Sequence, residues 1–173
     1  MKVIGLGNKA RHGKNYLAEQ IALYAAMRKG QIATLYGFGD ALKATARVMF
    51  GMRKKDAPLL QMLGTNVYRH INPNIWIEVL QATIEEQNPS LAIIYDVRFP
   101  NEAQAIKDMG GMLVRVSRFN QDGTPFIAPD RPANHPSEIA LDDYDGWDFQ
   151  VNAISGDMTP LQNAAAILVE GLL

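Results

Sequence analysis

The fold is decided by the stretch Lys2-Val-Ile-Gly-Leu-Gly-Asn-Lys-Ala-Arg-His-Gly-Lys-Asn15. Residues 2–6 are typical of a short buried strand, and an amphipathic helical pattern covers residues 14–28, with Gly30 where a C-cap belongs. A turn between a strand and a helix N-terminus points backbone N–H groups at an anion, and a lysine at its end reaches phosphate oxygens. The stretch therefore predicts a phosphate-binding loop at residues 8–15.

This loop departs from the strict glycine-lysine motif at two positions, Asn8 and Asn15. Asparagine tolerates left-handed backbone better than most residues, so Asn8 can replace a glycine, and Asn15 can offer an amide oxygen to Mg²⁺. The side chain of His12 is expected to face outward, since the loop would bind phosphates through its backbone.

Two other interpretations of the stretch remain, a dinucleotide fingerprint written Gly5-x-Gly7-x-x-Ala10 and a plain tight turn. A dinucleotide site needs a carboxylate after the second strand, where this chain has Tyr36-Gly37-Phe38, and it has no role for Lys14. These absences favour the phosphate-binding loop.

Strand and helix patterns alternate along the rest of the chain, which predicts a doubly wound α/β fold whose strands present their carboxyl ends at one edge. The expected strands cover residues 32–36, 91–95, 112–116 and 149–154, and the expected helices cover a segment capped by Asp40 and ending at Gly51, then residues 58–71, 73–87, 102–109 and a closing helix from residue 159.

The loops after the strands hold the candidate site residues. Asp96 and Arg98 follow the apolar strand 91–95, where an acid can hold Mg²⁺ and a guanidinium can bind phosphate. Residues 118–134 are polar and proline-rich, as in a functional lid, and carry Arg118 and Arg131. Two other polar groups have structural explanations. An active pair is one interpretation of His135 with Glu138, but a helix start explains them more simply. The acidic run Asp142-Asp143-Tyr144-Asp145 is typical of a solvated loop.

Composition narrows the function classes. The chain has no cysteine, which excludes disulfides and thiolate chemistry, and its net charge of −1 gives no general attraction to nucleic acid or an anionic membrane. No apolar run approaches the length of a membrane span. We expect a soluble cytoplasmic protein with neither nucleic acid nor membrane as a partner.

Several motifs together resemble the bacteriophage-type deoxynucleoside monophosphate kinases. In chain order these are Asn8-Lys-Ala-Arg-His-Gly-Lys-Asn15, Phe38-Gly-Asp-Ala-Leu-Lys43, Leu59-Leu-Gln-Met-Leu-Gly-Thr65 with Arg69, Pro73-Asn-Ile-Trp76, Asp96-Val-Arg-Phe-Pro-Asn-Glu102, Gly110-Gly111 and His135-Pro-Ser-Glu-Ile-Ala-Leu-Asp142. The resemblance covers residues 2 to about 165, and it differs from the family pattern at Asn8 and Asn15, where glycine and aspartate are usual.

The resemblance implies one P-loop kinase domain over residues 1–173, with a five-stranded parallel sheet in a three-layer fold, substrate-binding helices at about 38–90 and a lid at about 118–134. It implies ATP and Mg²⁺ as cofactors, and host cytoplasm as the location for a protein of phage origin. A homodimer is compatible with this resemblance.

The resemblance also implies a role for each site residue. ATP would be bound by Asn8, Lys9, Ala10, Arg11, His12, Gly13, Lys14, Asn15, Asn152 and Gly156, and Mg²⁺ by Asn15 and Asp96. The acceptor nucleotide would be bound by Asp40, Lys43, Gln61, Arg69, Trp76 and Arg98. Catalysis would rest on Lys14, Arg11, Arg98, Arg118 and Arg131.

The expected reaction is transfer of the γ-phosphate of ATP to a nucleoside 5′-monophosphate, with deoxynucleotides favoured. Two alternatives stay open: a P-loop kinase of another phosphorylated small molecule, such as phosphomevalonate, and a catalytically weak nucleotide-binding module.

Overall fold

The structure is a computed structural model that describes residues 1–129 and 132–172. The chain divides into two compact units: a sheet unit, residues 1–35 and 89–173, and a helical unit, residues 36–88.

The sheet is five-stranded and all-parallel, in the order β2-β3-β1-β4-β5, as predicted. Its strands are β1 (Lys2–Gly7), β2 (Ala33–Tyr36), β3 (Leu91–Val97), β4 (Met112–Phe119) and β5 (Phe149–Ile154). The helices of the sheet unit are α1 (Lys14–Lys29), α6 (Pro100–Asp108), α7 (Pro136–Ile139) and α8 (Thr159–Leu172). Those of the helical unit are α2 (Phe38–Phe50), α3 (Ala57–Gln61), a π-helical turn (Met62–Tyr68), α4 (Arg69–Ile71) and α5 (Ile75–Gln87).

Three layers form the sheet unit. One face of the central strands, with Ile4, Ile93 and Val114, packs against α1 and α8 in a buried apolar core. The other face carries Gly5, where an added Cβ would lie 2.9 Å from Ile106 of α6. The central strands β1 and β3 are buried along most of their length because helices cover both faces, as in other parallel sheets.

The core of the helical unit brings Ala46 and Met52 together with Leu63. Trp76 is 5% exposed, its ring meets that of Tyr68 edge to face at 5.3 Å between centroids, and its Nε1–H donates to the carbonyl of Gly64 at 3.4 Å. These contacts give the unit its own apolar interior.

Several predicted boundaries differ from the structure. Asp40 does not cap α2: the helix begins at Phe38 after Gly37, and Asp40 lies in its first turn, paired with Lys43 at 2.8 Å. The predicted helix 58–71 is interrupted by the π-helical turn. β4 continues to Phe119, so Arg118 lies in a strand, where it pairs with Ala153. The expected helix ends at Gly30 and Gly51 are confirmed, both left-handed with φ of 62° and 64°.

No helix in the described parts of the chain combines the length and the apolar character that crossing a bilayer requires.

Candidate functional site

The loop after β1 has the backbone expected of a phosphate-binding turn. Gly13 has a φ of 96° and Asn8 a φ of 105°, in the region that glycine normally occupies. The side chain of Asn8 also donates to the carbonyl of Val116 at 3.1 Å and to the hydroxyl of Ser117 at 3.0 Å. Asn8 therefore adopts the glycine conformation and ties the loop to β4, which a glycine could not do.

Lys14 is the most buried cation of this loop, at 4% exposed. Its ammonium group donates to the carbonyl of Asn8 at 2.9 Å and to that of Lys9. A buried ammonium needs such partners because desolvation is costly. Lys14 therefore lies folded over the loop in which it originates.

A cavity of about 260 Å³ opens beside Lys14. It brings together the loop, the start of α1 and the end of β3, as strand ends in a parallel sheet should. The residues that line it are Arg11, Gly13, Lys14, Asn15, Tyr16, Tyr95, Asp96 and Arg98. The sequence predicted all of these except the two tyrosines.

The glycines of the alternative dinucleotide fingerprint have packing roles. Gly5 faces Ile106, and a Cβ on Gly7 would lie 2.5 Å from the ring of Trp147. Gly7 is thus covered by an indole, whereas a dinucleotide site needs its backbone open to a pyrophosphate. The geometry favours the phosphate-binding loop over the dinucleotide site.

The donor set of the cavity fits Mg²⁺. Asn15 offers an amide oxygen and Asp96 a carboxylate, and both line the cavity. Mg²⁺ is usually held by one or two protein oxygens together with substrate phosphates and water. Within the described residues there is no cluster of three or more His, Cys, Asp or Glu that could hold a metal ion.

The position of His12 corrects a prediction. Its side chain faces inward, at 5% exposed. Nδ1 accepts the backbone N–H of Arg118 at 3.2 Å, which leaves the proton on Nε2 to donate to the carbonyl of Phe126 at 3.2 Å. Burial is the main influence that lowers the pKa of His12 below its usual 6.5. The imidazole is therefore neutral and joins the loop to the segment after β4.

Arg118 lies beside this histidine, at the end of β4. Its Nε donates to the hydroxyl of Ser155 at 2.9 Å and its Nη1 to the carbonyl of Arg11 at 3.3 Å. The guanidinium lies 4.0 Å from the centre of the Phe126 ring, within the range of a cation–π contact. The first part of the expected lid thus touches the phosphate-binding loop. Arg131, its other arginine, lies outside the described residues.

The remaining predicted residues divide between the two units. Asn152 and Gly156 are exposed at the end of β5, in the sheet unit. The helical unit holds the predicted acceptor residues except Arg98: Asp40, Lys43, Gln61, Arg69 and Trp76. Gln61 is exposed, Arg69 half-buried, and Trp76 buried in the core of that unit.

Sequence reasoning set Glu138 aside as part of a helix start, whereas its side chain is 6% exposed and contacts Arg98 and the backbone of Ala10. The available signal was its place in the motif His135-Pro-Ser-Glu138. His135 does cap α7, since its Nδ1 accepts the N–H of Ser137 at 3.2 Å, as expected.

Two curated relatives are similar to this chain. A deoxynucleoside-5′-monophosphate kinase of Escherichia phage T5 is 35% identical over 89 residues, which are 48% of this chain and 33% of that protein. A putative deoxynucleotide monophosphate kinase of Acanthamoeba polyphaga mimivirus is 28% identical over 86% of each chain. The resemblance predicted from the sequence is confirmed. The match spans only about a third of the T5 protein's length but most of the mimivirus one.

Solved structures confirm the P-loop α/β fold. A putative kinase from Chloroflexus aurantiacus superposes with a TM-score of 0.54 and 14% identity, over 99% of this chain and 98% of that one. The shikimate kinase of Acinetobacter baumannii gives a TM-score of 0.54 and 12% identity, over 98% of this chain and 92% of its own. No protein-family model matches the chain.

Proposed function

We propose that this protein is an ATP-dependent kinase that transfers the γ-phosphate to a deoxynucleoside 5′-monophosphate and forms the diphosphate. The observation that carries the proposal is the shared cavity of Lys14, Asn15, Asp96 and Arg98 at the ends of β1 and β3. It combines cations for phosphate with oxygen donors for Mg²⁺. The names of the two viral relatives support the choice of acceptor.

The chemistry requires alignment and charge neutralisation rather than a strong base. The attacking atom is a phosphate oxygen that is already charged at neutral pH. Lys14 and Arg11 meet the phosphates of ATP, and Arg98 meets the acceptor phosphate through its planar fork of donors. Asn15 and Asp96 would hold Mg²⁺, which supplies positive charge to the phosphate oxygens when bound.

Lys14 must exchange partners for this role. Its ammonium now donates to the carbonyls of Asn8 and Lys9. A triphosphate in the loop offers charged oxygens in their place, and charge-assisted hydrogen bonds are stronger than those to neutral carbonyls.

The rest of the nucleotide sites is assigned by the same proposal. The loop residues Asn8, Lys9, Ala10, His12 and Gly13 surround the ATP phosphates, and Asn152 and Gly156 lie toward the adenine. Asp40, Lys43, Gln61 and Arg69 of the helical unit bind the acceptor, and the buried Trp76 supports that unit from within. The segment that follows β4 acts as a lid and carries Arg131, and Arg118 lies beside it at the end of β4.

A coupled ADP-release assay tests the proposal. Purified protein is given ATP, Mg²⁺ and a panel of acceptors that contains deoxy- and ribonucleoside monophosphates and phosphomevalonate. We expect the highest kcat/KM with a deoxynucleoside monophosphate. Turnover with phosphomevalonate alone would move the acceptor to another class, and ATP binding without transfer to any acceptor would identify a nucleotide-binding module.

A further inference from the structure

A buried carboxylate that is not part of the cavity lining contacts Arg98, which is part of that lining. Glu138 belongs to the short helix α7 and is 6% exposed. Its Oε2 accepts the backbone N–H of Ala10 at 2.8 Å, and its Oε1 accepts Nη1 of Arg98 at 3.1 Å. One carboxylate thus contacts both the phosphate-binding loop and the arginine at the end of β3.

Burial of this charge is costly unless hydrogen bonds and a countercharge stabilise it. Glu138 has both: a backbone donor on one oxygen and a guanidinium on the other. Because a guanidinium is planar and rigid, a contact at one edge restricts the direction of its remaining donors. Glu138 therefore helps to set where Arg98 points.

The main chain of Arg98 is held separately. Oε2 of Glu102 accepts the backbone N–H of Arg98 at 2.7 Å and that of Phe99 at 3.2 Å, at the start of α6. With the backbone fixed by Glu102, the freedom left to Arg98 is in its side chain, and Glu138 restricts it.

The segment that carries Glu138 has a second contact with the same loop. Asp142 pairs with Lys9 at 2.7 Å, and both side chains are partly exposed. Residues 138 and 142 therefore contact adjacent positions of the loop, so this segment is joined to it at two points.

We propose that Glu138 is a positioning residue, which holds the guanidinium of Arg98 in a fixed relation to the phosphate-binding loop. The inference rests on the proposed function. In-line transfer is sensitive to placement of the reacting groups, and a misplacement of about 1 Å can cost about a hundredfold in rate.

Glu138→Gln separates the two contacts. The two donors contact different carboxylate oxygens, and the amide replaces one of these oxygens with an NH₂ group, so either Ala10 or Arg98 loses its acceptor. We expect kcat/KM for the acceptor to fall about tenfold to a hundredfold. In an Arg98→Ala background the same substitution should cost less than about twofold, because the group through which it acts is gone.

Asp148→Asn is the matched control. Asp148 also joins a backbone donor, the N–H of Leu113 at 2.7 Å, to a cation, Lys107, and none of the three residues lines the cavity. We expect this variant to keep wild-type acceptor kinetics. An equal loss in Asp148→Asn would overturn the inference, since any such carboxylate would then have the same effect.

Two further kinetic outcomes overturn the inference while the proposed function stands. One is wild-type kcat/KM in folded Glu138→Gln, and the other is an undiminished loss in the Arg98→Ala background. An active wild type supports the proposed function whatever the variants do, and a wild type inactive with every acceptor overturns both proposals.

A second measurement applies if Glu138→Gln alone does not fold. The double variant no longer buries an unpaired carboxylate, so the pairing predicts that it melts no lower than Arg98→Ala. A double variant that melts lower contradicts the pairing.

Discussion

Replacement of Lys14 with methionine removes one charge from the phosphate-binding loop and keeps a side chain of similar length. The ammonium lies where charge would develop on the transferred group, and Lys14 is 4% exposed, so solvent screens it little. Removal of one preorganised group of this kind costs about 10²–10³ in kcat, or about 2.7–4 kcal/mol. We expect a loss of that size.

The free energy of unfolding should change much less. The variant loses two hydrogen bonds from a charged donor, to the carbonyls of Asn8 and Lys9, and each contributes about 1.5–3 kcal/mol. It no longer buries an ammonium, which costs several kcal/mol per ion. Because these two changes have opposite signs, we expect a net change within about 2 kcal/mol, and a folded variant.

The assay is coupled ADP release with saturating ATP and acceptor, together with a thermal melt of each sample. Lys29→Met is the control at the other end of α1, where the ammonium pairs with Glu170 at 3.0 Å on the surface. Such pairs contribute about 0–1 kcal/mol, and this one should leave kcat unchanged. An unchanged kcat in folded Lys14→Met would refute the assignment of the phosphate-binding loop.

Three further predictions concern other parts of the site. Arg98→Ala and Arg69→Ala should each raise the acceptor KM or lower kcat, with less effect on ATP affinity, because a guanidinium binds the phosphate of a monophosphate through two hydrogen bonds. Loss of ATP binding with normal acceptor kinetics would mean that these arginines belong to the ATP site. Shortening of residues 120–129 should lower the rate of phosphoryl transfer and raise the ratio of ATP hydrolysis to transfer, since a closed lid excludes water. Amide exchange in the same residues should slow when a bisubstrate analogue is added, and equally slow exchange without ligand would identify a fixed loop. His12→Gln should flatten the pH dependence of the free energy of unfolding. Burial above all, and also the charge of Lys14, lower the pKa of His12, while the Phe126 and Val116 carbonyls and Glu138 raise it. Because the net shift is downward, the unfolded state binds more protons, and stability falls as pH drops from about 6.5 toward the lowered pKa, by at most about 1.4 kcal/mol per pH unit. Equal slopes for wild type and variant in chemical denaturation would contradict this.

The parts that the sequence predicted are those that local chemistry determines. The backbone of Asn8 follows from the turn in which it lies, and the meeting of Asp96 with Lys14 follows from the rule that parallel strands end at one edge. The helix stops at Gly30 and Gly51 follow from the left-handed conformation that glycine favours.

The parts that the sequence did not predict depend on contacts between distant residues. Glu138 and Ala10 are 128 positions apart, and no local pattern reveals that a carboxylate would accept that N–H. The side chain of His12 faces inward because it forms hydrogen bonds with the carbonyl of Phe126 and the N–H of Arg118, both of which are distant in sequence. Arg118 became part of a strand because β5 supplied hydrogen-bond partners beside it.

The π-helical turn at Met62–Tyr68 has a consequence for insertions and deletions. A π-helix closes each hydrogen bond over one more residue than an α-helix does, so such a turn is equivalent to one residue added to a regular helix. Deletion of one residue from this turn would let the segment close as an ordinary helix. It would leave the direction of Arg69 relative to α3 nearly unchanged, because the turn accommodates its extra residue by widening and not by rotating the residues that follow. Relatives that are one residue shorter here should therefore keep both the fold and the side of the helix on which this arginine lies.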